Sequence, residues 1–223
     1  MVNLKINNIP VSVPEGTTIL EAARSVGIRI PTLCYLKEIN AIGACRICVV
    51  EVKGARSMVA ACVYPVAEGM EVTTNSEAVI KARKTTLELI LSDHQKKCLS
   101  CIRSTNCELQ NLANEYGCDA TAFEGATNEF QPDTSTDWLI RDNNKCILCR
   151  RCVAVCKHVQ EVGVISANKR GFSTNIDVAF QNGLENAGCV ACGQCINVCP
   201  VGALYEKSEI EKVKSFLCDP GKV

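Results

Sequence analysis

CILCRRCVAVC, residues 146–156, decides the reading of this chain, because it returns as CVACGQCINVC at residues 189–199. Both runs have the pattern C-x2-C-x2-C-x3-C. A cube of irons and sulfides needs one thiolate per iron, and x2 spacing lets a short loop wrap three adjacent corners. The fourth cysteine of each run is carried away by a helix. Zinc is the competing chemistry, but it takes cysteines as two separated C-x2-C pairs.

In bacterial two-cluster ferredoxins the fourth cysteine of one run ligates the cluster held by the other. The resemblance implies Cys146, Cys149, Cys152 and Cys199 on one [4Fe–4S] cluster, and Cys189, Cys192, Cys195 and Cys156 on a second. Pro200 follows Cys199, as the motif expects. Cys156 is followed by Lys157 instead, which leaves ligation intact but removes one helix-stopping device. Residues 138–209 therefore read as a two-cluster domain of bacterial ferredoxin type.

The rest of the composition narrows the function classes. The 223 residues suggest one or two ordinary domains, and 24 basic residues balance 24 acidic ones. Nothing in that balance suggests a nucleic-acid stripe or a polybasic membrane patch. The seventeen cysteines fall in tight clusters, while aromatic residues make up only 4%. No apolar run approaches the ~18 residues of a membrane span, and MVNLKINNIPVSV alternates where a signal peptide would be apolar. The expected compartment is the cytoplasm, where thiols stay reduced, so the cysteine spacings point to metal rather than disulfides.

Residues 1–76 read as a small mixed β/α unit. LKI and VSV flank an Asn7-Asn8 turn, and Thr17 or Thr18 can cap a helix bearing Leu20, Ala23 and Val26 that stops at Gly27. CVVEV (48–52) and MEVTT (70–74) read as strands, with Cys34, Cys45, Cys48 and Cys62 on loops. A helix capped at Asn75-Ser76 is expected to reach about residue 92, with Ile80, Leu87 and Leu91 on one face. Leu109, Leu112, Ala113 and Tyr116 mark another, stopping at Gly117. Between these helices lies HQKKCLSCIRSTNC, residues 94–107, with three cysteines and one of the chain's two histidines. Residues 119–137 are polar and read as a linker or surface loop, and 210–223 as a tail that begins a helix.

The spacing C-x10-C-x2-C-x13-C of Cys34, Cys45, Cys48 and Cys62 is too long in its first gap for plant-type ferredoxins. Four loop cysteines on one β-rich unit fit a [2Fe–2S] rhomb, and on spacing alone zinc stays open.

IPTLCY (30–35), GACRICVVEV (43–52) and MVAAC (58–62) resemble the N-terminal β-grasp domain of the large iron–sulfur subunit of respiratory complex I. [FeFe]-hydrogenases and NAD-linked formate dehydrogenases carry the same segment. The resemblance implies a [2Fe–2S] cluster on Cys34, Cys45, Cys48 and Cys62. HQKKCLSCIRSTNC matches that family's H-x3-C-x2-C-x5-C motif position for position. This implies a [4Fe–4S] cluster on His94, Cys98, Cys101 and Cys107 in a small helical domain, residues 77–118. Neutral imidazole in place of thiolate makes a cluster less negative and raises its potential, as in Rieske centres. Cys118, Cys218 and His158 stand outside every ligand set; both cysteines read as free thiols and His158 as a solvated or structural residue. NKRGFST (168–174) and the tail EKSEIEKVKSFLCDPGKV, with its DP-x-K-x turn, look most like [FeFe]-hydrogenases.

The expected architecture is α+β: a β-grasp [2Fe–2S] domain, a His(Cys)3 domain and a two-cluster domain. No dinucleotide fingerprint, P-loop or flavin site occurs, so no catalytic residue is assigned. The expected function is an electron relay in a cytosolic NAD(P)-linked oxidoreductase of hydrogenase, formate dehydrogenase or transhydrogenase type, electron-bifurcating complexes included. The implied partners are a flavin- and NAD(P)-binding iron–sulfur subunit, ferredoxin and a separate catalytic subunit. The alternative is the N-terminal electron-transfer region excised from an [FeFe]-hydrogenase, which the reading frame beyond residue 223 would distinguish. A free ferredoxin is the weakest reading, since such carriers hold one or two clusters and tend to be acidic.

Overall fold

The computed structural model describes residues 1–219 and 221. Strands β1 (Val2–Ile6) and β2 (Ile9–Val13) form an antiparallel hairpin in register from Val2 opposite Val13 to Ile6 opposite Ile9. Asn7 and Asn8 make its turn at φ 50° and 66°, the left-handed conformation that asparagine tolerates. Leu4, Ile6, Val11 and Val13 alternate inward with period two and are buried. Helix α1 (Ile19–Ser25) is capped by the Thr18 hydroxyl, which accepts from the Glu21 N–H, and buries Ile19, Leu20, Ala22 and Ala23 under the sheet.

Strands β3 (Val49–Val52), β4 (Val59–Ala60) and β5 (Glu71–Thr73) complete a five-stranded sheet of order β2-β1-β5-β3-β4. Its one parallel pair is β1 with β5, and β3 runs antiparallel to β5 and β4. The two-residue β4 falls where only a loop was expected.

Helix α2 (Glu77–Ser92) starts at Ser76, whose hydroxyl accepts from the Val79 N–H. Its buried face is Val79, Arg83, Leu87, Glu88 and Leu91. Ile80 is exposed, which corrects the expected face by one position. Arg83 takes the inward place because its guanidinium donates to the Val49 carbonyl at 2.8 Å and the Tyr116 hydroxyl at 3.2 Å. This ties α2 to β3 and to the end of α3 (Glu108–Glu115), where Leu109 and Leu112 are buried.

The C-terminal part is built from two short hairpin-like pairs. Strand β6 (Leu139–Arg141) pairs antiparallel with β9 (Leu204–Glu206), and β7 (Ile165–Asn168) with β8 (Asn175–Val178). Helices α4 (Arg151–Ala154) and α5 (Gln194–Asn197) follow the two cysteine loops. They end differently. α5 stops before Cys199-Pro200, whereas α4 runs on as a wide helical turn over Val155–Val159 that carries Cys156 and Lys157. A proline halts the one, and its absence lets the other continue.

Residues 119–137 form a strap rather than a loose connection. Asn128 bonds Asp93 through its backbone N–H at 2.6 Å and its side chain at 2.8 Å, Asp133 pairs with the backbone of Arg141, and Thr136 is buried. The last helix, α6 (Ile210–Leu217), lies exposed. Pro220, Lys222 and Val223 of the DP-x-K-x turn lie outside the described residues. Among the described residues no helix is long and apolar enough to cross a membrane.

Two cores result. One lies between the five-stranded sheet and α1 and contains Cys48 and Cys62. The other joins α2, α3 and the C-terminal part, and it contains Leu33, Cys34, Cys45 and Ile47 from the N-terminal unit. The first cysteine set therefore sits where the two cores meet.

Candidate metal centres

Fifteen cysteines singled out above fall into four groups in space, and His94 lies near the Lys145 charge. Cys34, Cys45, Cys48 and Cys62 are all buried, and their sulfurs contact one another. The Cys34 thiolate accepts from the Cys45 and Cys62 thiols, which pushes Cys34 far down and Cys45 and Cys62 far up. Cys48, accepting from Cys62, falls to about 7. Four thiolates cannot share this volume without a positive centre between them, and metal supplies one. Gly43 (φ 62°) and Arg46 (φ 57°) turn the loop into the left-handed region on either side of Cys45.

In the C-terminal part the sequence repeat is also a conformational repeat. Leu148 and Arg150 are left-handed at φ 54° and 59°, and so are Ala191 and Gly193 at 54° and 71°, the same offsets from Cys146 and Cys189. A non-glycine residue in this region costs about 1–2 kcal/mol. Both loops adopt it because it turns successive cysteines toward one centre.

The fourth cysteines cross over. Cys146, Cys149, Cys152 and Cys199 line one apolar cavity, and Cys189, Cys192, Cys195 and Cys156 line another. Ile165 and Leu204 wall both cavities, which therefore stand back to back. Burial raises Cys146 to about 11 and Cys149 to about 12, and the charge on Cys199 adds to both. Burial likewise raises Cys195 to about 11, reinforced by Cys189, Cys192 and Cys156.

The first cavity holds donors without acceptors. Arg141 gives its Nη2 to Asp133 at 2.9 Å and Asp177 at 2.6 Å, while its Nε and Nη1 are buried and unpartnered. A thiolate- and sulfide-bearing cluster would supply those N–H groups with acceptors, so the donor set fits a cluster on chemical grounds.

His94 shows the complementary signature. It is largely buried, and desolvation first, then the Lys145 charge, lowers its imidazolium to about 4. The ring is neutral at pH 7, and Nδ1 is buried with no hydrogen-bond partner. Cys107 is buried at the start of α3, facing the Leu109 and Gln110 N–H groups, while the Cys98 and Cys101 charges reach it through space. A neutral imidazole together with the three cysteines of its own loop makes a donor set that fits iron. Among the described residues no group of three or more His, Cys, Asp or Glu is arranged around a single metal ion.

Comparison with known proteins follows this division. Residues 1–77 match the 2Fe-2S iron-sulfur cluster binding domain, 83–121 the NADH-ubiquinone oxidoreductase-G iron-sulfur binding region, and 116–203 the 4Fe-4S dicluster domain. The chain is 45% identical, over its whole length, to NADP-reducing hydrogenase subunit HndD of Solidesulfovibrio fructosivorans. It is 40% identical, over 93% of its length, to the NADPH-Fe(3+) oxidoreductase subunit alpha of Geobacter sulfurreducens. It spans 39% of the first relative and 24% of the second. A chain in the crystal structure of an NAD+-reducing [NiFe]-hydrogenase in the H2-reduced state superposes with a TM-score of 0.86 at 31% identity, covering 93% of this chain and 88% of that one. The chain belongs to the iron–sulfur module family shared by NAD(P)-linked hydrogenases and the NADH-quinone oxidoreductase G subunit.

Several features of this family member carried no sequence signal. The Arg103 guanidinium donates to the Cys199 carbonyl, and the Glu108 N–H to Pro200 at 2.9 Å, so the His94 loop is fastened to the first C-terminal cavity. Gly202 approaches Cys101 so closely that a Cβ there would stand 2.6 Å from its sulfur. Arg151, buried between Cys149 and Cys152, forks onto Glu108 at 2.6 and 2.9 Å. Cys118 lies against the Lys84 carbonyl, and Cys218 and His158 are exposed.

Proposed function

We propose that this module is a one-electron relay holding one [2Fe–2S] and three [4Fe–4S] clusters. Cys34, Cys45, Cys48 and Cys62 would hold the first, on a β-grasp fold. His94, Cys98, Cys101 and Cys107 would hold a cube, and Cys146, Cys149, Cys152 with Cys199, and Cys189, Cys192, Cys195 with Cys156, the other two. The observation that carries the reading is the crossing of Cys199 and Cys156 between the two back-to-back cavities. Iron–sulfur clusters accept and release single electrons without proton chemistry. The chain's own part is to exclude water, orient the donors and hold the sites in and between two adjoining cores.

The similarity to an NADP-reducing hydrogenase subunit and an NADPH-Fe(3+) oxidoreductase subunit supports a setting in an NAD(P)-linked complex. The proposed setting is a cytoplasmic hetero-oligomer with a flavin- and NAD(P)-binding iron–sulfur subunit, and with ferredoxin or a catalytic subunit at the other end. Anaerobically purified protein should carry about fourteen irons, two for the rhomb and four for each cube. Full zinc occupancy at Cys34, Cys45, Cys48 and Cys62 would overturn the first assignment. Alone, the chain should neither oxidise NAD(P)H nor turn over hydrogen; either activity in the isolated protein would remove the relay reading.

A further inference from the structure

We propose that Asn40 is the positioning residue that fixes the 34/45/48/62 site against the 146/149/152/199 site and thereby sets the rate of electron transfer between them. The inference rests on the cluster assignments above. Asn40 is 4% exposed, and its single amide nitrogen spends both hydrogens on carbonyls of assigned ligand residues. Nδ2 donates to the Cys34 carbonyl at 2.7 Å and to the Cys149 carbonyl at 3.1 Å. Those two cysteines belong to different ligand sets, and Cys149 lies 109 positions from Asn40 in sequence.

The residue is itself held in place. Asn40 and Leu36 exchange backbone hydrogen bonds of 2.8 and 3.0 Å across a tight loop, in which Glu38 turns into the left-handed region at φ 62°. The amide is thus presented by a closed loop rather than by a flexible segment.

Packing alone does not do this job. Leu33, Cys34, Cys45 and Ile47 already share a core with Cys149 and Cys152. Apolar contact is non-directional, so it brings the surfaces together without choosing one register. Two hydrogen bonds from one planar nitrogen are directional and set both carbonyls, and with them both cysteine backbones. They also complete a route of covalent and hydrogen bonds from Cys34 through Asn40 to Cys149. Serine and threonine have one donor, and glutamine adds a rotatable bond, so asparagine is the side chain that meets the requirement.

The test uses the full chain, purified anaerobically with its iron. Asn40→Leu removes both donors at nearly constant volume, and Asn40→Ser leaves room for a water to reach the carbonyls. Iron content, midpoint potentials, the relaxation enhancement of the [2Fe–2S] EPR signal by the reduced neighbouring cube, and the inter-site rate after flash reduction are measured. Expected are parental iron and midpoints with weakened relaxation enhancement and a measurably lower inter-site rate in both variants. Parental relaxation enhancement and rate in both variants would overturn the role. Loss of iron in both would make Asn40 a folding residue and overturn it equally. A parent chain without any [2Fe–2S] signal would bring down the underlying site assignment, a separate and recognisable result.

Discussion

Replacing Gly202 by alanine adds one methyl group, and the geometry makes that methyl expensive. Its Cβ would lie 2.6 Å from the Cys101 sulfur and 3.7 Å from the Arg103 Cβ and Cγ. Ordinary contacts of this kind begin near 3.5 Å, so the overlap with sulfur is about 1 Å. Gly202 is not in the left-handed region, and the cost therefore comes from the contact and not from the backbone. Its neighbours Val201 and Ala203 are buried and leave little room to retreat. Overpacking of this size costs about 1–3 kcal/mol. Here the yielding atom is an assigned iron ligand, so the strain should appear as cluster loss at that site. The expected result is about ten irons per chain where the parent has about fourteen, with the His94 cube's EPR signal missing and the others retained. Gly125→Ala is the control, since a Cβ there meets nothing within 4 Å. Parental iron and signals in Gly202→Ala would refute the reasoning, because Cys101 would then have space that the structure denies it.

Two more predictions concern the donor sets. His94→Cys should keep a four-iron cluster at a lower midpoint, because thiolate adds negative charge, whereas His94→Ala should lose that cluster or leave an iron open; an unaltered signal and midpoint in His94→Ala would remove His94 from the ligand set. Arg141→Lys keeps the charge facing Asp133 and Asp177 but abolishes the buried Nε–H and Nη1–H, so the midpoint of the 146/149/152/199 cube should fall in an EPR-monitored titration. An unchanged midpoint would mean those donors do not reach the cluster.

The parts legible from residue order are those whose physics is local. A C-x2-C-x2-C loop can wrap a cube because its donors lie within two turns of chain, and its repetition shows in the letters as it does in the dihedral angles of Leu148, Arg150, Ala191 and Gly193. The caps at Thr18 and Ser76, the Asn7-Asn8 turn and the missing proline after Cys156 act within a few residues, and each behaves as its chemistry dictates. Local rules failed where a partner intervened. Ile80 yields the inner face of α2 to Arg83 because a carbonyl on β3 and a hydroxyl beyond α3 receive the guanidinium. The polar stretch 119–137 is a strap because Asp93, Arg141 and Asn144 lie where it passes.

The joints between modules had no trace in the sequence at all. Spacing and periodicity assign no role to Asn40, Arg103 or Gly202. Each gains its meaning from a cysteine that stands 96 to 109 positions away for Arg103 and Asn40, or across a packed surface for Gly202. Periodicity and spacing report what one segment does with itself. Which carbonyl meets which amide across two cores depends on how all three modules pack, and that arrangement exists only once the chain has closed on itself.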